Sequence, residues 1–263
     1  MIFFSFQNLQ YLCIVMKNTG ISLLSIVPMR AEPSEKSEMV SQLLFGEYFV
    51  IIEQTEKWLL IRSGIDAYQG WVSTNMLSEL PEDFPITLAP NVICSPYAIC
   101  SVADRQIHLP GGSLLPAIEH STFQLAGEKY TFCGGMTQPE KGGLVAYALQ
   151  YLNAPYLWGG KTIFGIDCSG LVQIVCRMAG YWFPRDASQQ VNVGREITPD
   201  LAGANDIAFF SDDNGKIVHT GILCDDNRII HASGSVRIDR FDKLGIFNET
   251  EIDIHTSCIL SKG

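Results

Sequence analysis

Cysteine and histidine can exchange a proton near neutral pH, and three such residues stand out here by their neighbours. Cys168 follows Asp167, a good helix N-cap, and apolar residues then recur at Leu171, Val172, Val175, Cys176 and Ala179. Gly180 supplies the stop and Pro184 lies just beyond it. Cys168 is thereby placed in the first turn of a helix, on its core-facing side. Unpaired backbone N–H groups and the positive end of the helix dipole there favour the thiolate, the nucleophilic form. A free cysteine is as commonly a small buried hydrophobe, and position alone leaves both readings open.

A nucleophilic thiol needs a base, and the base needs a group to orient its ring. His219, in Ile217-Val-His-Thr-Gly-Ile-Leu223, and His231, in Arg228-Ile-Ile-His-Ala-Ser233, can fill both roles. The two segments read as neighbouring strands of a hairpin. If residues 224–226 form the turn, 219 falls opposite 231, and both rings share one face of the sheet. A register displaced by an even number of residues keeps them together, whereas an odd displacement throws them apart and removes the mechanism. Each histidine alone reads as structural; the joint pattern of helix-start cysteine and two facing histidines points to nucleophilic catalysis.

Three segments must position these groups. Residues 18–82 show short alternating runs separated by Pro, Gly and charged turns, the pattern of a small all-β barrel, with Trp58 and Trp71 expected in its core. Residues 83–136, rich in Gly and Pro, read as a second, divergent all-β barrel; its His108 and His120 have no partner pattern and are expected to have surface or structural roles. Residues 137–263 change texture. A helix is expected over 141–152, then the Cys168 helix, then strands at 206–210, 216–223, 228–232 and near 252–260, an α+β arrangement.

The chain has 263 residues, 47% hydrophobic and 17% charged, and so can bury a sizeable core. A net charge of -10 without any Lys/Arg run argues against nucleic acid as a partner. The eight cysteines show neither CxxC pairs nor zinc spacing, so no metal and no cofactor is expected. Cys94 and Cys100 could bridge, but scattered reduced thiols fit better. Met1–Met16 is apolar in patches, lacks a preceding positive charge and a cleavage signal, and is too broken by polar residues to span a membrane. A shifted start, a degenerate signal sequence and an edge strand all stay open for it. The compartment, envelope or cytoplasm, is unassigned, and a monomer is expected.

Tyr156-Leu-Trp-Gly-Gly160, Asp167-Cys-Ser-Gly-Leu-Val-Gln173, Pro184-Arg-Asp186 with Gln190, Asp206-Ile-Ala-Phe-Phe210, His219-Thr-Gly-Ile222 and Ile230-His-Ala-Ser-Gly234 occur in this order. In these motifs the region from about 140 to the end resembles the NlpC/P60 family, papain-like cysteine peptidases of peptidoglycan. The segments around Met29–Pro33, Ser37–Glu47, Trp58–Arg62 and Asp66–Val72 resemble a bacterial SH3 domain. Together they are similar to γ-D-glutamyl-L-diamino acid endopeptidases that process cell-wall stem peptides.

The resemblance implies Cys168 as nucleophile, His219 as base and His231 as the orienting group. It implies Tyr156 near the oxyanion and the D-Glu subsite, and Ser169 on the D-Glu α-carboxylate. It also implies Asp186, Tyr68 and Glu47 around the free amine of a terminal L-Ala. Two departures stand out. Ala187 replaces the serine of the family's usual Arg-Asp-Ser, and Asn205-Asp206 replaces Gly-Asp, where Asn tolerates the left-handed turn. Two other functions are compatible with the same sequence: a wall-binding protein with a vestigial catalytic domain, or a Cys/His amidase or acyltransferase acting on another wall-derived acyl group.

Overall fold

The structure is a computed structural model and describes residues 13–14, 18–79, 86–87, 91–134, 137, 143–198, 201–225, 227–242, 245–248, 251–255 and 258–262. Most of Met1–Met16 lies outside the described residues; Cys13–Ile14 pairs antiparallel with Ile86–Thr87. No helix among the described residues is long and apolar enough to cross a membrane.

The first unit is all β: β1 (Thr19–Ile21), β2 (Ile26–Arg30), β3 (Met39–Leu44), β4 (Tyr48–Gln54), β5 (Trp58–Ser63), β6 (Gln69–Ser73) and β7 (Ser78–Glu79). They form a seven-stranded sheet in the order β3-β2-β6-β5-β4-β1-β7, the SH3-like architecture at the N-terminal end. Alternation decides which side chains enter its core. Val27, Met29, Leu43, Phe49, Leu59, Ile61 and Val72 are buried, whereas Trp58 and Trp71 sit one residue out of phase and are only half-buried. The tryptophans expected in the core therefore cover its outside.

A four-stranded sheet follows, built from β8 (Tyr97–Val102), β9 (Arg105–Pro110), β10 (Thr122–Leu125) and β11 (Glu128–Phe132), in the order β9-β8-β11-β10. Cys94 and Cys100 are buried and free, not bridged. His108 is exposed and stacks on Tyr97 with a 2.8 Å hydrogen bond, a surface role as expected.

The remaining residues carry α1 (Leu144–Leu149), α2 (Cys168–Met178) and α3 (Ala187–Gln190). They pack on an eight-stranded antiparallel sheet made of β12 (Arg195–Ile197), β13 (Ile207–Ser211), β14 (Ile217–Leu223), β15 (Arg228–Ser233), β16 (Ser235–Asp242), β17 (Gly245–Asn248), β18 (Glu251–His255) and β19 (Cys258–Lys262). The strand order is β12-β19-β13-β14-β15-β16-β17-β18. Asn205 takes φ 74°, the left-handed turn expected of it, and its Oδ1 accepts from Val145 N at 2.9 Å, seating the start of α1.

Every residue of α2 is buried, which an amphipathic surface helix would not allow. Its apolar side, with Leu171, Val172 and Val175, belongs to the main core. Ser169, Gln173 and Arg177, four residues apart, form a polar stripe that meets the first barrel. Gln173 Nε2 donates to Asp66 Oδ2 at 2.8 Å. Arg177 pairs with Glu47 and donates to the Gly112 carbonyl at 3.0 Å. The barrel is thus fixed to α2 by buried polar contacts.

Candidate active site

Asp167 does more than cap α2. Its carboxylate accepts from Gly170 N at 2.7 Å and Gly159 N at 2.8 Å, and Arg185 grips it with two bonds of 3.1 and 2.6 Å. A Cβ on Gly170 would lie 2.3 Å from the Gly160 carbonyl oxygen, so only glycine lets the first turn of α2 seat under that loop. This pins the backbone around Cys168.

The thiol itself is buried, which alters the expectation drawn from the dipole. Burial, and next the adjacent Asp167 carboxylate, push the Cys168 thiol up to about 11. Backbone N–H groups of Thr220 and Ser169 and the Arg185 guanidinium pull the other way without prevailing. Burial thus favours the neutral thiol, because desolvating an anion outweighs the field of one helix end.

The candidate base and its partners are assembled across three strands. Gly221, not His219, faces His231, since the turn falls one residue later than expected: Cys224 N still bonds Arg228 O, at 2.7 Å. The register moves by two, an even number, so both rings stay on one face. His219 reaches His231 diagonally, and Gly221 leaves the room. A Cβ there would lie 2.7 Å from Ile229 Cδ1 and 2.9 Å from His231 Cβ.

A chain of hydrogen bonds then sets the tautomers. His231 Nε2 lies 2.9 Å from Asp239 Oδ2, and His231 Nδ1 lies 2.8 Å from His219 Nε2. An ionised carboxylate only accepts, so His231 carries its proton on Nε2 and its Nδ1 accepts. His219 must therefore donate from Nε2, which leaves Nδ1 as the unprotonated, basic nitrogen. Thr220, the next residue of β14, places its backbone N–H on the Cys168 sulfur, so the strand carrying His219 runs against Cys168. Burial, the neighbouring His231 and Arg237 push the His219 imidazole down to about 3. Burial also lowers His231, opposed by its bond to Asp239.

Asp239 was not anticipated, nor was Arg237, whose Nε meets the same Oδ2 at 2.6 Å and whose Nη1 bonds the Ser233 carbonyl at 2.6 Å. The alternation of Val236-Arg-Ile-Asp-Arg240 straight after the Gly234 turn held the signal, since Arg237 pairs with His231 and Asp239 follows on the same face.

Cys168 opens onto a cleft of ≈ 450 Å³ between the first barrel and the α+β unit. Tyr68 and Asp186 line it as expected, and the Tyr68 hydroxyl donates to the Asp186 carboxylate. Burial and that carboxylate push Tyr68 up to about 12. Asp186 is also the N-cap residue of α3, so its capping and cleft-lining roles coexist. Tyr156 is half-buried, held by its N–H to the Gly234 carbonyl at 2.9 Å, and burial followed by the Cys168 charge pushes it up to about 12. Ser169 lines the cleft, but its hydroxyl donates to Asp167 at 3.3 Å while accepting from Arg185 at 2.8 Å. Its one hydrogen is thereby directed inward rather than at a ligand.

Glu47 is a correction. It is 1% exposed, paired with Arg177 and with Lys161 at 3.3 Å, and it does not line the cleft. Two buried cations take up its charge, so it joins the domains instead of recognising an amine. The barrel carboxylate at the cleft is Glu38, which accepts from the indole N–H of the exposed Trp158. Among the described residues, no group of His, Cys, Asp and Glu side chains could hold a metal ion.

Residues 153–250 match the NlpC/P60 family, and residues 29–77 match the bacterial dipeptidyl-peptidase Sh3 domain. The chain is 28% identical over 214 residues to a Bacillus subtilis protein named gamma-D-glutamyl-L-lysine dipeptidyl-peptidase, covering 73% of this chain and 71% of that one. It is also 28% identical over 245 residues to dipeptidyl-peptidase 6 of Lysinibacillus sphaericus, covering 81% and 87%. A crystal structure of an NlpC/P60 family protein from Bacillus cereus superposes with a TM-score of 0.77 at 16% identity, covering 91% of this chain and 98% of that one. The chain therefore carries an NlpC/P60 domain over residues 153–250, with a bacterial dipeptidyl-peptidase Sh3 domain over residues 29–77 in front of it.

Proposed function

We propose that this protein is a cysteine endopeptidase of peptidoglycan stem peptides, cutting the bond between γ-D-Glu and the following diamino acid in peptides with a free N-terminal L-Ala. The observation that carries the reading is the shared cleft. Cys168 opens onto the same space as Glu38, Asp186 and Tyr68, which come from two different domains. An ammonium group held by two carboxylates makes charge-assisted hydrogen bonds, and the acyl group behind it extends toward the thiol. A glycan-linked L-Ala has no such cation, which favours peptides already freed from sugar, as in wall turnover or recycling.

The chemistry follows from the tautomers. His219 Nδ1 takes the thiol proton as the sulfur attacks the γ-carbonyl carbon, and the His219–His231–Asp239 chain stabilises the imidazolium that forms. The first-turn N–H of Cys168 and the Tyr156 hydroxyl face the developing oxyanion. His219 then returns the proton to the departing amine, leaving a thioester that water hydrolyses with His219 again as base.

Incubation with L-Ala-γ-D-Glu-L-Lys and with its meso-diaminopimelate counterpart tests this. Release of L-Ala-D-Glu by the wild type, its loss in Cys168→Ala, and poor cleavage of the N-acetylated peptide are expected. Equal turnover of acetylated and free peptides would refute the amine requirement.

A further inference from the structure

The charged groups lining the cleft are Glu38, Asp167, Arg185, Asp186 and Lys216. Arg185 is spent on Asp167 through its two-bond grip. Lys216 is therefore the one cation lining the cleft that makes no ion pair among the described residues. Its backbone is fixed: Lys216 N donates to Asp212 Oδ1 at 2.9 Å, and its carbonyl accepts from Asp212 N at 2.8 Å. The Asp212 side chain is occupied by that N–H and by Asn214 N at 3.0 Å. Lys216 stands three residues ahead of His219, at the foot of β14, on a wall shared with Ala187.

A γ-linked D-Glu residue carries a free α-carboxylate three carbons from the carbonyl under attack. Bringing that anion into a cleft already holding three carboxylates needs a donor. The Ser169 hydrogen points at Asp167, Ala187 has no hydroxyl to offer, and the Ser188 hydroxyl carries no charge to balance an anion. We infer that Lys216 binds the α-carboxylate of the γ-D-Glu residue and makes the enzyme selective for D-Glu over its α-amide, D-isoglutamine. The cleft then presents acid to the peptide's ammonium and a cation to its carboxylate. This rests on the stem-peptide reading above.

The test compares kcat/KM of wild type, Lys216→Met and Lys216→Arg on L-Ala-γ-D-Glu-L-Lys, on the same peptide with the D-Glu α-carboxylate amidated, and on the peptide amidated only at its C-terminus. Wild type should prefer the D-Glu acid over its α-amide by about tenfold or more, the range of one charged hydrogen bond. K216M should lose that preference, and K216R should keep most of it. An unchanged acid-to-amide ratio in K216M, or a ratio that follows the C-terminal carboxylate, overturns the Lys216 assignment alone. Turnover of none of the peptides by wild type overturns the stem-peptide reading and this assignment with it.

Discussion

Replacing Asp239 separates what the relay contributes from what the cleft contributes. Asp239 Oδ2 accepts from both His231 Nε2 and Arg237 Nε, at 2.9 and 2.6 Å. In Asp239→Asn, the amide oxygen can occupy the same place and accept both bonds, so the tautomers survive and only the negative charge is lost. A hydrogen bond to a charged group contributes about 1.5–3 kcal/mol, so kcat should fall about 10- to 150-fold. In Asp239→Ala nothing fixes the proton on His231 Nε2. His231 can then donate from Nδ1, which turns the basic nitrogen of His219 away from the thiol. Arg237 also loses its carboxylate beside two imidazoles and makes their protonation harder. A loss on the order of 10³ to 10⁴ is expected, as when a triad histidine is held in the wrong tautomer. Asp239 does not line the cleft, so KM should move little. Steady-state kinetics on L-Ala-γ-D-Glu-L-Lys, with circular dichroism to confirm folding, distinguishes the cases. A folded Asp239→Ala within tenfold of wild type in kcat would refute the tautomer argument.

The pH profile should be unusual: with His219 held down to about 3 and Cys168 up to about 11, the neutral thiol and neutral imidazole coexist between these limits. The base form of His219 persists below its ordinary 6.5, so kcat should show no acid limb near that value, and iodoacetamide should alkylate Cys168 at pH 7 more slowly than a free cysteine. Gly221→Ala would bring a Cβ within 2.9 Å of His231 Cβ; a stability loss of about 1–3 kcal/mol and a disproportionate fall in kcat are expected from denaturation and kinetics. Glu47→Ala leaves Arg177 and Lys161 buried without their carboxylate and should destabilise the protein by about 3–5 kcal/mol in chemical denaturation, whereas an amine-recognition role would change KM instead. Asp186→Asn should weaken kcat/KM for free-amine peptides by about 2–5 kcal/mol, with the N-acetylated peptide unaffected.

The sequence by itself determined which elements form around the site. Asp167 before an apolar stripe ending at Gly180 marks α2, and two alternating runs around a short polar turn mark the β14–β15 hairpin, because capping and side-chain period are properties of neighbouring residues. Asn205 in a left-handed turn was legible for the same reason. Parity, too, could be read: an even register shift preserves the pairing of faces whatever the turn length. Glu47 and Glu38 could not be told apart this way. Both are barrel carboxylates, and only docking against α2 puts one under Arg177 and the other at the cleft. The thiol's protonation was equally out of reach, since the helix dipole is written in the chain but the burial that outweighs it arises only when distant segments fold over one side chain. Asp239 became a partner of His231 only when β16 folded back beside β15. Local order follows from adjacent residues; charge state and recognition follow from what the whole chain brings together and shuts away from water.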